Sequence, residues 1–223
     1  LGSPPWEKVK LSEKEFFADL APDIAALPSK LRKGAIDDLE HENPTLWERF
    51  RDAARLASCQ SHFLRTSGRY PLCGTGDINT YAVFAEAMAS VLTARGRMGA
   101  VVPTGIATDD TTKKFFASLV ENHTLAELLD FENEERLFPA VDSRARFCLL
   151  TVVGTGASVD SAEFLFLAVD PTELADEDRR FSLSAEDFAL INPNTRTAPV
   201  FRTRREAEIV KSIHRRYPVL WKD

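Results

Sequence analysis

Cysteine is scarce in this chain. Only Cys59, Cys73 and Cys148 occur among 223 residues, widely separated, which excludes a disulfide framework. The four histidines, His41, His62, His123 and His214, are isolated from the cysteines and from one another. Neither a zinc cage nor a Cys-His dyad is suggested, and they read as surface or packing residues. Long apolar runs are missing too: 147–153 and 164–169 are among the longest, far below the roughly 20 residues of a membrane helix. No basic-then-apolar leader opens the chain, so the sequence reads as a cytoplasmic protein with no membrane partner. Positive charge is in deficit, with a formal net charge of -6. That balance weighs against non-specific nucleic-acid binding, which Lys and Arg phosphate contacts dominate. Basic residues do cluster locally, in Arg202-Thr203-Arg204-Arg205 and His214-Arg215-Arg216.

What is present is an ordinary globular composition, 44% hydrophobic, 9% aromatic and 28% charged. Without a repeat or low-complexity tract, the chain is organised by periodicity and by proline. Positions 11–65 are helical in pattern and are broken at Ala21-Pro22, Leu27-Pro28 and Asn43-Pro44, which predicts two or three helices. A Gly, Ser, Thr and Pro-rich loop follows over 66–76. Asp77 or Asn79 can then cap a helix over 79–94 with the apolar stripe Tyr81, Phe84, Met88, Val91 and Leu92. A strand is expected at 98–103, a helix at 111–122 and a strand at 125–131. The β-rich runs 147–153 and 164–169, separated by a polar turn, read as an antiparallel pair. Strands alternating with helices give an α/β class and a mixed sheet. The remainder, 171–223, reads as an extension with a turn at Asn192-Pro193-Asn194 and a helix near 204–217.

The most informative stretch is Ser3-Pro4-Pro5-Trp6. A polar-Pro-Pro-aromatic tetrad arises by chance in on the order of one chain in a hundred of this length. A polyproline turn, or a ligand for a proline-reading module, is the simple interpretation. The chemical interpretation begins from a base amino group, whose lone pair is delocalised into its ring. A side-chain oxygen at Ser3 and the backbone carbonyl of Pro4 can both accept its protons and favour a tetrahedral nitrogen. Pro4 and Pro5 lock φ, so the carbonyls point in a set direction. Trp6 offers a face for an extruded base, worth about 1 to 3 kcal/mol per stacked base.

At these residues the sequence resembles the adenine-N6 DNA methyltransferases related to fused restriction-modification enzymes and to phage-defence methylases. The likeness continues through Glu13-Lys14-Glu15-Phe16-Phe17, through Gly76-Asp77-Ile78-Asn79-Thr80-Tyr81 and through Gly99-Ala100-Val101-Val102-Pro103-Thr104-Gly105-Ile106. It extends to Leu137-Phe138-Pro139 with Phe147-Cys148-Leu149-Leu150, and to Asn192-Pro193-Asn194-Thr195-Arg196. The resemblance implies the C-terminal half of a Rossmann-like, S-adenosylmethionine-dependent methyltransferase sheet, with a helical insertion after the catalytic loop. Residues 1–170 would be the partial catalytic domain, comprising a catalytic loop at 1–10, the insertion at 11–65 and sheet and helices at 77–170. Residues 171–223 would be an extension or a linker to another domain. In the family the aromatic matching Phe138 lies by the target base with the loop aromatic; the alternative for Phe138 is a core position. The first loop residue is usually Asn, and Ser3 is familiar among related cytosine-N4 methyltransferases. The residues that hold S-adenosylmethionine are expected upstream of Leu1, so this part alone is expected to be inactive, with DNA as the parent's partner and recognition left to a separate domain.

Other motifs are weaker. Gly154-Thr155-Gly156 follows a strand but lacks a third glycine and a following helix, and Cys73-Gly74-Thr75-Gly76 follows no strand. Both read as turns rather than cofactor loops. The acidic group Asp130, Glu132, Glu134 and Glu135 has no nearby Lys to complete a metal-nuclease site and reads as a solvated loop. No metal is implied. The reading is therefore a DNA amino-methyltransferase part with Ser3, Pro4, Pro5 and Trp6 catalytic and Trp6 and Phe138 base-binding. A non-catalytic DNA-binding or scaffold subunit of the same fold is the alternative.

Overall fold

The computed structural model describes residues 1–219. Contacts divide the chain into two units, one formed by Leu1–Glu7 with the segment from Asn79 onward, the other by Lys8–Ile78.

The Lys8–Ile78 unit is helical and contains α1 (Glu13–Ala18), α2 (Pro22–Ala26), α3 (Ser29–Glu42) and α4 (Pro44–Thr66). Four helices form where two or three are expected, because each proline that interrupts the pattern opens a new helix. Pro22 and Pro44 occupy first-turn positions, where a missing N–H costs nothing, and Pro28 precedes Ser29. Ser12 caps α1 by accepting from Glu15 N, and the Asn43 side chain caps α4 by accepting from Leu46 N at 3.2 Å. The core is Phe17, Ile24, Ala25, Ile36, Leu39 and Leu46, with Phe16, Trp47 and Phe50 against it. Within α4 only Leu46 is fully buried.

The other unit is built on a five-stranded mixed sheet, with β1 (Arg97–Pro103), β2 (Leu125–Glu132), β3 (Arg146–Val153), β4 (Ser161–Ala168) and β5 (Phe181–Ser184) in the order β1-β3-β2-β4-β5. β3 runs antiparallel to both β1 and β2, β2 runs parallel to β4, and β5 pairs antiparallel with β4. The strands expected at 98–103 and 125–131 thus lie in one sheet with a single strand between them. The hairpin expected between 147–153 and 164–169 does not form, because β2 separates the two strands. Its run Leu128, Leu129, Asp130 and Phe131 is buried on both faces, which suits a central strand with partners on each side. The 154–160 connection is long enough to step over one strand at about 4.8 Å spacing per strand.

Helices α5 (Thr80–Ser90), the short α6 (Gly105–Thr108), α7 (Lys113–Glu121), α8 (Ala185–Ile191) and α9 (Arg204–Arg216) complete this unit. α7 buries Phe115, Phe116, Leu119 and Val120 as its spacing predicts. α5 stops short of 94 and buries Tyr81, Ala82, Val83, Ala85 and Glu86, while Phe84 and Val91 of the expected stripe are exposed. Its inward face mixes the small Ala82 and Ala85 with Tyr81, Val83 and Glu86. Phe164 of β4 meets Phe188 of α8 at 5.8 Å, and Phe188 meets Phe116 of α7 at 5.7 Å. Each such buried ring contributes about 1.5 to 3 kcal/mol. The segment after 170 supplies β5, α8 and α9, with Phe181, Phe188 and Phe201 buried; the part beyond 219 lies outside the described residues.

Two local features, one polar and one steric, shape this sheet. The acidic residue Asp130 is not solvated, contrary to the loop reading, but fully buried on β2. Its carboxylate accepts from Thr104 Oγ1, from Arg146 Nη2 at 2.5 Å and from Leu167 N at 2.9 Å. The last bond holds β4 where Leu167 adopts φ 61° and the register with β2 slips by one residue. Gly154, at the end of β3, must be glycine because a Cβ there would lie 2.0 Å from the Thr93 carbonyl oxygen. Among the described residues no helix is long and apolar enough to cross a membrane.

Candidate functional site

β1, β2 and β4 run in one direction, and in open α/β sheets ligands collect beyond the carboxyl ends of parallel strands. Three connections meet at that end. The first is the 3–6 loop, which follows a short parallel bridge between Gly2 and Ala100, with Gly2 N donating to Gly99 O at 3.0 Å and Val101 N donating to Gly2 O at 2.9 Å. The second is the turn after Pro103, and the third is the 133–145 loop between β2 and β3. The sheet therefore delivers the proline pair and Phe138 to one place although they stand far apart in sequence.

Trp6 is half-buried, and its indole N–H points at Val101 O, 3.4 Å away. Its ring lies 6.3 Å from Phe138, edge to face at 76°, and 6.4 Å from Phe147, stacked at 27°. Phe138 packs edge-on against Phe147 at 4.8 Å, and Phe147 stacks on Phe131 at 5.4 Å. Phe131 and Phe147 form one buried cluster with Leu129, Leu165 and Ala168, and Trp6 packs against it. The result is an aromatic cradle with a firm floor and an accessible rim, since Phe138 is 38% exposed. That exposure is inconsistent with a wholly enclosed core position. Ser3 and Pro5 are exposed and Pro4 is buried. Among the described residues no donor meets the Pro4 carbonyl or the Ser3 hydroxyl, whereas the Pro5 carbonyl accepts from Thr80 Oγ1 at 2.7 Å.

Residues that sequence reasoning passed over hold this arrangement. Phe147 looks like any apolar strand residue, and nothing in its spacing reveals that it packs against both Trp6 and Phe138. Asn133, fully buried, accepts from Phe138 N at 2.9 Å and donates to Phe138 O, Val141 O and Asp142 O at 3.0 to 3.2 Å. An amide among carboxylates in Glu132-Asn133-Glu134-Glu135 is the one local hint of such a role. Arg136 turns the loop with φ 55°. On its far limb Arg144 hydrogen-bonds Asp142 at 2.9 Å, and this side-chain bond, reinforced by the Arg144 backbone N–H, holds the Asp142 carboxyl well below the usual carboxylate range.

Elsewhere, a groove of about 520 Å³ lies in the helical unit, lined by Val9, Phe50, Ala57, Ser61, His62 and Arg65 among others, and it contains none of Ser3, Pro4, Pro5, Trp6 or Phe138. Gly154 and Gly156 press on the backbone of Thr93 and Ala94 rather than facing open space, so they form no cradle for a cofactor. Among the described residues no cluster of His, Cys, Asp and Glu is placed to hold a metal ion.

The site belongs to a mixed α/β sheet unit. No protein-family model and no curated protein matches the chain. Among solved structures, the type IIG restriction endonuclease BpuSI is similar with a TM-score of 0.37 and 18% identity, covering 73% of this chain and 18% of that one. The chain thus spans less than a fifth of that protein's length, and a likeness at this level carries no argument about function.

Proposed function

We propose that this chain is the base-binding part of a DNA amino-methyltransferase acting on adenine N6 within a restriction-modification or phage-defence system. The observation that carries the reading is the convergence of Trp6 and Phe138 over Phe147, at the carboxyl end of the sheet and directly beside a proline-locked loop. A flipped base would stack against this cradle. The Pro4 carbonyl, together with the Ser3 hydroxyl, would accept the amino protons and turn the nitrogen lone pair outward. The Pro5 carbonyl is already engaged by the Thr80 hydroxyl, which leaves the Pro4 carbonyl as the unengaged acceptor of the pair. The methyl group would come from S-adenosylmethionine held by another part of the parent protein, and positioning with electrostatics suffices for transfer to nitrogen. Ser3, where a longer amide is usual in the resembled family, favours cytosine N4 as the second reading.

The test uses the parent protein carrying these residues, unmethylated DNA and labelled S-adenosylmethionine, with the modified nucleoside identified by mass spectrometry. N6-methyladenine supports the proposal, N4-methylcytosine moves it to the second reading, and no methylated base from a folded parent would leave a non-catalytic scaffold. Trp6→Ala and Phe138→Ala should each weaken base stacking by about 1 to 3 kcal/mol and leave cofactor affinity unchanged. This chain alone should not bind S-adenosylmethionine; a low-micromolar dissociation constant by calorimetry would overturn that assignment.

A further inference from the structure

We infer that Thr80 is the positioning residue that sets the direction of Trp6, an inference that rests on the proposed role of the 3–6 loop. Thr80 is the first residue of α5, and its hydroxyl meets the loop on both sides of Trp6. As a donor it reaches Pro5 O at 2.7 Å, and as an acceptor it takes Glu7 N–H at 3.0 Å. Glu7 O also lies 3.1 Å from this hydroxyl, but it already receives the Thr80 backbone N–H at 2.8 Å. A hydroxyl has one proton, so the shorter approach, to Pro5, takes it. One oxygen atom therefore anchors the peptide plane before Trp6 and the peptide plane after it.

Those two planes define φ and ψ of Trp6, and with them the direction of its Cα–Cβ bond. Pro5 leaves the loop without an N–H of its own to anchor, so the Pro5 carbonyl and the Glu7 amide are the handles on either side of Trp6. The indole bond to Val101 O, at 3.4 Å, is long and fixes only the far end of the ring. α5 is itself packed by Tyr81, Ala82, Val83 and Ala85. The hydroxyl thus ties the loop to a rigid helix start, presetting the tryptophan face before a base arrives.

Thr80→Val keeps the branched shape and removes both bonds, and Thr80→Ser restores the oxygen. In this chain, the indole N–H signal of Trp6 in an amide-proton NMR spectrum should shift or broaden in Thr80→Val and return in Thr80→Ser. The melting temperature should move by no more than about 3 °C, since the bonded groups are exposed and water can replace the lost partner. In the methylating parent, kcat should fall on the order of 10- to 100-fold, as for a small misplacement of a reacting group, while KM for DNA changes little and serine rescues the rate. An unmoved Trp6 signal in Thr80→Val overturns the inference. So does a displaced signal with an unchanged kcat. A wild-type parent that methylates nothing sinks the functional reading instead, and the NMR comparison still decides whether Thr80 sets Trp6.

Discussion

Replacing Asn133 with alanine should release the loop that carries Phe138. The amide has one acceptor bond to Phe138 N and two protons to share among Phe138 O, Val141 O and Asp142 O, so it is worth three hydrogen bonds rather than four. At about 1 kcal/mol net for each, the loss is about 3 kcal/mol. Water cannot substitute in the native state, because the residue is fully buried. For a protein of this size that corresponds to a fall of about 6 to 12 °C in melting temperature if the loop and sheet unfold together. If the loop opens alone, its open population should rise about 100-fold, at 1.4 kcal/mol per factor of ten, and trypsin should cut after Arg136 and Arg144 faster in proportion. Urea unfolding and timed trypsin digestion on the same preparations separate the two cases. The isosteric Asn133→Asp should be no better, since a carboxylate would face three carbonyl oxygens without a proton to offer. A variant that melts with the wild type and is cut no faster would refute the clamp.

Three further outcomes follow from the sheet and its loop. Asp130→Ala removes the shared acceptor of Thr104, Arg146 and Leu167, and should cost about 3 kcal/mol in urea unfolding, the lower end of the range because Arg146 is 32% exposed; a loss under about 0.5 kcal/mol would contradict it. Asp142, held by Arg144 below the ordinary value of 3.8, stabilises the loop at any pH above about 4 and ceases to do so as the pH falls through its lowered folded value. A carboxyl NMR titration midpoint at or above 3.8 would disprove this. Under native conditions a thiol reagent should label Cys59, which is exposed, and spare Cys148, where burial, with Asp130 adding to it, pushes the thiol well above its usual value; rapid labelling of Cys148 without denaturant would contradict the buried assignment.

Much of the local structure was legible from residue type and spacing. Proline positions marked the helix starts of the Lys8–Ile78 unit, because a residue without an N–H is tolerated in a first turn and not further in. The spacing of Phe115, Phe116, Leu119 and Val120 identified the buried face of α7, and the apolar runs located β1 to β4. The Ser3-Pro4-Pro5-Trp6 stretch stood out by composition alone, since two locked φ angles beside a polar and an aromatic residue constrain direction chemically. Pairing was not legible: period-two alternation says that a strand exists but not which neighbour it takes, so the insertion of β2 between β3 and β4 required the packed sheet. The short strand Phe181–Ser184 was hidden for a related reason, its four residues being too few to show a pattern. The functions of Asp130 and Thr80 are tertiary in the same sense, whereas Asn133 acts within its own loop. Asp130 and Thr80 act through hydrogen bonds to groups brought in by chain crossings elsewhere in the fold, and no spacing rule connects Thr80 to Pro5, or Asp130 to Leu167, until the sheet has brought them together.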